Sequence, residues 1–310
     1  IDEILMEVDA FCRLLPRPRE AVALDGAVLR DLPAEYRHFF QAVGALASQD
    51  ERQAKGELNA LLQLPAADRR ERTVWARFLL GWLDRRTAPD EAVRQFVQSR
   101  AEVQAGFADP CRLAAESFGW QAYVELHRGN LEQAAELYLV HGASGDATAW
   151  ASLIQVARRV RDGDDELLRR AARHPELRSV FTAFVLAWGG PRQVRGWSAD
   201  PPVWSQRWLA ALEAEGVTQT IGADRAAWLA YEAGDHERAL RWAALAPADA
   251  PMALWIRAKC LAARGELDEA APLFARASKA FPPQERWYNT TEDEQYDPVS
   301  PHRQAMADAG

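Results

Sequence analysis

The chain has 310 residues, 48% of them hydrophobic, and a formal net charge of −8 at pH 7, with acidic side chains outnumbering lysine and arginine by 45 to 37. That balance excludes the basic face of a phosphate-tracking nucleic-acid binder and the polybasic segment of a membrane-surface protein, and no run of about 18 apolar residues provides a membrane span. Three cysteines far apart (Cys12, Cys111 and Cys260) form neither a disulfide framework nor a zinc module.

At about 150 residues per compact domain the length corresponds to about two domains, unless the chain is a repeat array. Lysine occurs only at 55, 259 and 279, and asparagine only at 59, 130 and 289, whereas alanine and arginine abound. Such usage points to a GC-rich bacterial gene. Twelve tryptophans are many for this length, and composition alone does not explain them.

Residues 1–32 read as N-terminal capping helices. They begin at Ile1 in mid-helix, as a removed signal segment or a trimmed start would leave them. Residues 33–188 read as a first helical stack. Within it, Tyr36 to Pro65 and Trp75 to Ser99 are weak copies of one unit, carrying Ala54 with Leu58 and Ala92 with Phe96. Gly129-Asn130-Leu131 with Ala134 and Tyr138 is a stronger copy. Residues 147–188 stay helical, with Pro175 starting or interrupting a helix. Gly189 to Pro202 (GGPRQVRGWSADPP) carries turn signals throughout and reads as a hinge loop between two stacks. Its Trp197 is expected to tuck back onto a helix. A second stack follows over 203–281, with Gly234-Asp235-His236 and Ala239, then Gly265-Glu266-Leu267 with Ala270 and Phe274. Residues 282–310 read as a polar, acidic spacer and the start of a further helix, so Gly310 is not expected to be the natural end of the folded protein.

Each copy implies a helix, a tight glycine turn and an antiparallel second helix. Glycine takes the left-handed conformation that ends the first helix, and the acid or amide after it favours the next helix start. Small residues stand where the helices approach closely, so Ala258 opposes Ala270. Phe274 fills the gap to the neighbouring unit, and Pro251 and Pro282 close their units. One hairpin cannot bury its apolar face alone, so the units stack and stability becomes a sum over neighbours.

Catalytic signatures are missing. His236-Glu237-Arg238-Ala239 is followed by Leu240, so the second histidine of a metalloprotease helix is lacking. No nucleophile elbow or phosphate-binding glycine loop occurs. Asp162-Gly163-Asp164-Asp165-Glu166 lacks the glycine at which a calcium loop turns, and these acids are expected to cap and charge a helix start. The histidines at 38, 127, 141, 174, 236 and 302 show no metal-ligand pair on one helix, so no metal and no cofactor is expected. Cys260 is expected to be buried and inert. Arginine clusters at 69–72, 158–161 and 169–173 are interleaved with acids and read as solvated helix faces.

The matched residues resemble the tetratricopeptide repeat family. They are Ala258, Leu261, Gly265, Ala270, Phe274, Ala277 and Pro282 in one unit, Ala227, Gly234, Ala239, Ala246 and Pro251 in the one before, and Ala122, Gly129, Ala134 and Tyr138 in an earlier one. Leu254 stands in the family's tryptophan slot, and repeat length varies from 31 upward. The resemblance implies an all-α solenoid of about six stacked antiparallel hairpins, a right-handed superhelix whose first helices line a concave groove. It places Tyr123 and His127 on that groove, then Asp224, Trp228, Tyr231 and Glu232, then Met252, Trp255 and Lys259. Each of these aromatic rings has a rival reading as inter-repeat core. The clamp that grips acidic C-terminal tails needs lysine and asparagine across two repeats. Only Lys259 qualifies, so an acidic-tail chaperone partner is disfavoured and a neutral or basic, apolar-anchored peptide fits better.

The expected function is therefore a non-catalytic scaffold for a protein or peptide partner, with no nucleic acid and no membrane span. One alternative is an assembly subunit of a larger bacterial complex, docking by its ends or convex face. Another is an accessory helical domain of an envelope enzyme, because bacterial transglycosylases also carry alanine-rich helical stacks; their glutamate-bearing catalytic module is not found here. The resemblance to large bacterial tetratricopeptide proteins favours periplasm or envelope over cytoplasm.

Overall fold

The computed structural model describes residues 31–188, 193–194, 197–198, 203–217 and 222–281. Among these, fourteen α-helices follow one another: α1 Ala34–Ala47, α2 Glu51–Gln63, α3 Thr73–Asp84, α4 Pro89–Gln104, α5 Leu113–Arg128, α6 Leu131–Ala143, α7 Thr148–Arg161, α8 Asp165–Arg173, α9 Pro175–Trp188, α10 Val203–Ala214, α11 Ala223–Glu232, α12 His236–Leu245, α13 Pro251–Ala263 and α14 Leu267–Ala280. A two-residue ribbon, β1 Gln193–Val194 and β2 Trp197–Ser198, pairs antiparallel between α9 and α10. The expected capping helices at 1–32 and the spacer with its further helix at 282–310 lie outside the described residues. So does Pro282.

The fold is all-α and built from antiparallel hairpins. In the first compact unit, up to Val156, α1 packs on α2, α3 on α4 and α5 on α6, with α2 on α3 and α4 on α5 joining successive pairs. In the second unit, from Ala157, α11 packs on α12 and α13 on α14, and α13 lies against both members of the preceding pair.

Three glycine turns share one construction. Gly129, Gly234 and Gly265 have φ of 82°, 77° and 81°. At each, the glycine N–H donates to the carbonyl three residues back (Leu126, Tyr231, Ala262), and the next N–H donates to the carbonyl five residues back (Glu125, Ala230, Leu261). These paired bonds satisfy the carbonyls that a helix end leaves open. The same two bonds close α1 through Gln49, at φ 60°, where a side chain bears a left-handed backbone. Gln49→Gly is expected to raise the stability of the first unit by about 0.5–1 kcal/mol, and Gly265→Ala to lower that of the second by about 1 kcal/mol. Urea midpoints that move in the same direction for both would contradict this account.

Of the residues after these glycines, Asp235 accepts from the Arg238 N–H at 3.0 Å as a cap, whereas Asn130 donates to Glu125 Oε2 at 2.6 Å instead. The 162–166 acids act at a helix start as expected: Asp164 accepts from the Leu167 N–H at 2.8 Å, and Asp165 and Glu166 occupy the first turn of α8. Arg161, Arg169 and Arg173 in the neighbouring clusters pair with Asp162, Glu166 and Glu215.

The close-approach alanines are fully interior: Ala122, Ala134, Ala227, Ala239, Ala258 and Ala270 have at most 2% exposure. Tyr138, Phe96 and Phe274 are buried beside them. Several tryptophans serve the interior too, since Trp75, Trp208, Trp242 and Trp255 are buried, although Trp150 and Trp188 are exposed.

One expectation needs correction. Pro251 does not close a unit but opens α13 at its first position, where the missing N–H has no helical partner to lose; Pro175 likewise opens α9. The two compact units divide within α7, at Val156/Ala157, and α8 and α9 before the 189–202 stretch pack on α10 and α11 after it.

Candidate functional site

The first helices of the hairpins carry their aromatic side chains at positions three and four apart, which places them on one face of each helix. In the first unit, α3 and α5 lie side by side. Trp82 of α3 meets Trp120 of α5 edge to face, with centroids 6.4 Å apart. Trp120 continues to Tyr123 at 5.8 Å, and Tyr123 to His127 at 4.0 Å. The Arg85 guanidinium lies 3.9 Å over Trp82 and 5.5 Å from the Trp120 ring, and Arg86 Nε donates to the Tyr123 hydroxyl at 3.2 Å. His127 Nδ1 lies 2.8 Å from the Tyr123 carbonyl oxygen, which orients its exposed ring. Trp82, Trp120, Tyr123 and Arg85 are half-buried, so each ring is held from below and offers an edge or face above.

Tyr123 and His127 were expected here. Trp82, Arg85, Arg86 and Trp120 were not, although the spacing of 120, 123 and 127 and of 82 and 85 is a helix-face signal readable in the sequence.

In the second unit, α11 and α13 are neighbours in the same way. Tyr231 and Trp255 approach with centroids 6.4 Å apart, and Lys259 Nζ lies 6.0 Å from the first ring and 5.6 Å from the second. His236 stacks on Tyr231 at 5.2 Å and 11°. Trp228 hydrogen-bonds to Glu232; burial pushes the Glu232 carboxyl above the usual carboxylate range, opposed by that bond and by Lys259. Asp224 is half-buried in the first turn of α11. Of the expected aromatic patch, Tyr231 and Trp255 come together while Trp228 partners Glu232. Trp255 and Met252 are 6% and 8% exposed, so both are packing residues and neither is offered to solvent as an anchor. Trp228, Tyr231 and Lys259 are half-buried.

Both faces can do the same thing chemically. Rings fixed in orientation, with a cation over or beside them, present apolar area at little further entropic cost and favour aromatic, prolyl or aliphatic groups. Cys260, by contrast, is buried, and burial pushes its thiol up from the ordinary value, which makes it a poor nucleophile.

No protein-family model and no curated protein matches the chain. Among solved structures, it is similar to the complex of the TPR2AB domain of yeast Sti1 with pHSP90, at 11% identity and a TM-score of 0.38, over 79% of this chain and 90% of that one. It is also similar to a tetratricopeptide repeat protein from Parabacteroides merdae, at 15% identity and a TM-score of 0.32, over 81% of this chain and 94% of that one.

Proposed function

We propose that the protein is a non-catalytic helical-repeat scaffold that binds a protein or peptide partner through the aromatic faces of its first helices. The observation that carries this reading is the ladder of half-buried Trp82, Trp120 and Tyr123 and exposed His127, with Arg85 lying over its first ring. A ladder serving the interior alone would be sealed like Trp75, at 1% exposure. This one keeps accessible edges beside guanidinium donors, the composition that dominates binding energy in protein interfaces. The partner it suits is a segment with apolar or aromatic anchors.

The test is affinity capture from the native source with the intact protein and with a Trp82→Ala, Trp120→Ala double variant. Loss of a central anchor is expected to cost about 2 kcal/mol or more, roughly thirtyfold in Kd. Undiminished capture by a double variant of unchanged helicity would reject the ladder as the binding face.

A further inference from the structure

His141, near the end of α6, is buried at 4% exposure, and neither ring nitrogen has a hydrogen-bond partner. A buried polar group in that condition costs about 1–3 kcal/mol, so its retention asks what the ring faces. Nε2 points at two carboxylates: Glu116 Oε2 at 3.5 Å and Asp146 Oδ2 at 3.7 Å. At these separations neither acid closes a good hydrogen bond. One imidazole nitrogen and two carboxylate oxygens thus converge, the three atoms all within 4.8 Å of one another.

We propose that Glu116, His141 and Asp146 form a divalent transition-metal site, best suited to zinc. Bonds of about 2.0–2.2 Å to imidazole nitrogen and carboxylate oxygen put tetrahedral ligands about 3.3–3.6 Å apart, close to the separations from Nε2. One nitrogen and two oxygens suit zinc, whereas all-oxygen sets suit calcium and magnesium. Three protein ligands leave the fourth position open to water or to an atom of a partner.

The backbone is shaped around this arrangement. Gly119 of α5 lies against the imidazole, where a Cβ would fall 2.7 Å from both Cε1 and Nδ1. Asp146 is held by its other oxygen, Oδ1, which accepts from the Thr148 N–H at 2.7 Å and from the Thr148 hydroxyl at 2.5 Å at the start of α7. That leaves Oδ2 for the metal. The site thus ties α5, α6 and the α7 entry together.

The experiment uses the full chain stripped with a chelator and titrated with Zn²⁺ alone by equilibrium dialysis, with Co²⁺ absorption as a readout of tetrahedral coordination. One Zn²⁺ per chain is expected at this site. Glu116→Gln and Asp146→Asn each should weaken it by about tenfold or more, since even the loss of an outer hydrogen-bonding partner costs about 10–100-fold. Both are near-isosteric changes at partly exposed positions, and asparagine keeps the α7 cap, so folding is preserved where His141→Ala would put it at risk. Uptake no greater than that of the Glu116→Gln, Asp146→Asn double variant, or a Co²⁺ spectrum unchanged by those substitutions, would overturn the site.

Discussion

Phe96→Ala is expected to lower the stability of the first unit by about 3–5 kcal/mol, the cost of deleting a sealed aromatic side chain and leaving a void. Phe96 has 0% exposure; it meets Phe78 edge to face at 5.9 Å and lies over Gly81 of α3 so closely that a Cβ there would fall 2.8 Å from its Cε1. The hairpin α3/α4 is thus packed ring against glycine, and the two positions should be energetically coupled. Gly81→Ala alone gains about 1 kcal/mol of helix propensity and loses about 1–3 kcal/mol to overpacking, a net loss because the buried ring must shift to admit the methyl group. With Phe96→Leu in place the clash is relieved, and the same alanine should become neutral or stabilising. A double-mutant cycle by urea denaturation is expected to show coupling of about 1–2 kcal/mol. Additivity within about 0.5 kcal/mol would mean that the two sites do not share this contact.

The same contact shows why the repeats were readable. Ala92 followed four residues later by Phe96 repeats the Ala134–Tyr138 and Ala270–Phe274 spacing, and all six side chains are buried. Turn glycines and close-approach alanines answer to local geometry, a positive φ or a missing side chain, so each leaves a mark at a fixed position. What is not local leaves no such mark. Gly189 to Pro202 is dense in turn residues, which predicts a break in secondary structure, and α9 does end there. Whether the helices on either side part company depends on packing between α8, α9, α10 and α11, about which turn composition is silent. The first-unit ladder was half-readable: Tyr123 and His127 came from the resemblance, while Trp82 needed α3 to be set beside α5. The net charge of −8 likewise hides Arg85 and Arg86, which sit on the aromatic face itself. His141 has no partner histidine at ligand spacing on its own helix, and such spacing cannot reveal side chains that converge on it from α5 and a loop. Its clearest sequence trace is Gly119 in mid-helix, where glycine costs about 1 kcal/mol relative to alanine and so asks for a reason.

Trp208→Ala is expected to cost the second unit about 3–5 kcal/mol, and its reach along the chain is the more informative result. The Trp208 indole, at 1% exposure, packs edge to face on Phe181 of α9 with centroids 4.8 Å apart and an 84° interplanar angle. Its Nε1–H donates to Thr182 Oγ1 at 3.2 Å, also buried. Trp208→Phe keeps most of the apolar contact but strands the hydroxyl, a cost of about 1–3 kcal/mol. Adding Thr182→Val removes both polar partners at once, and the double variant should recover much of that loss. Because Trp208 lies after the 189–202 stretch and Phe181 and Thr182 before it, the damage should cross the stretch. Hydrogen exchange of Trp208→Ala is expected to accelerate in α9 as well as in α10, while α1 to α6 keep their native protection, since stability in a stacked array is shared chiefly between neighbours. Acceleration confined to α10 and the helices after it would show that the turn-rich stretch divides the fold energetically, and that the α9–α10 contact contributes little.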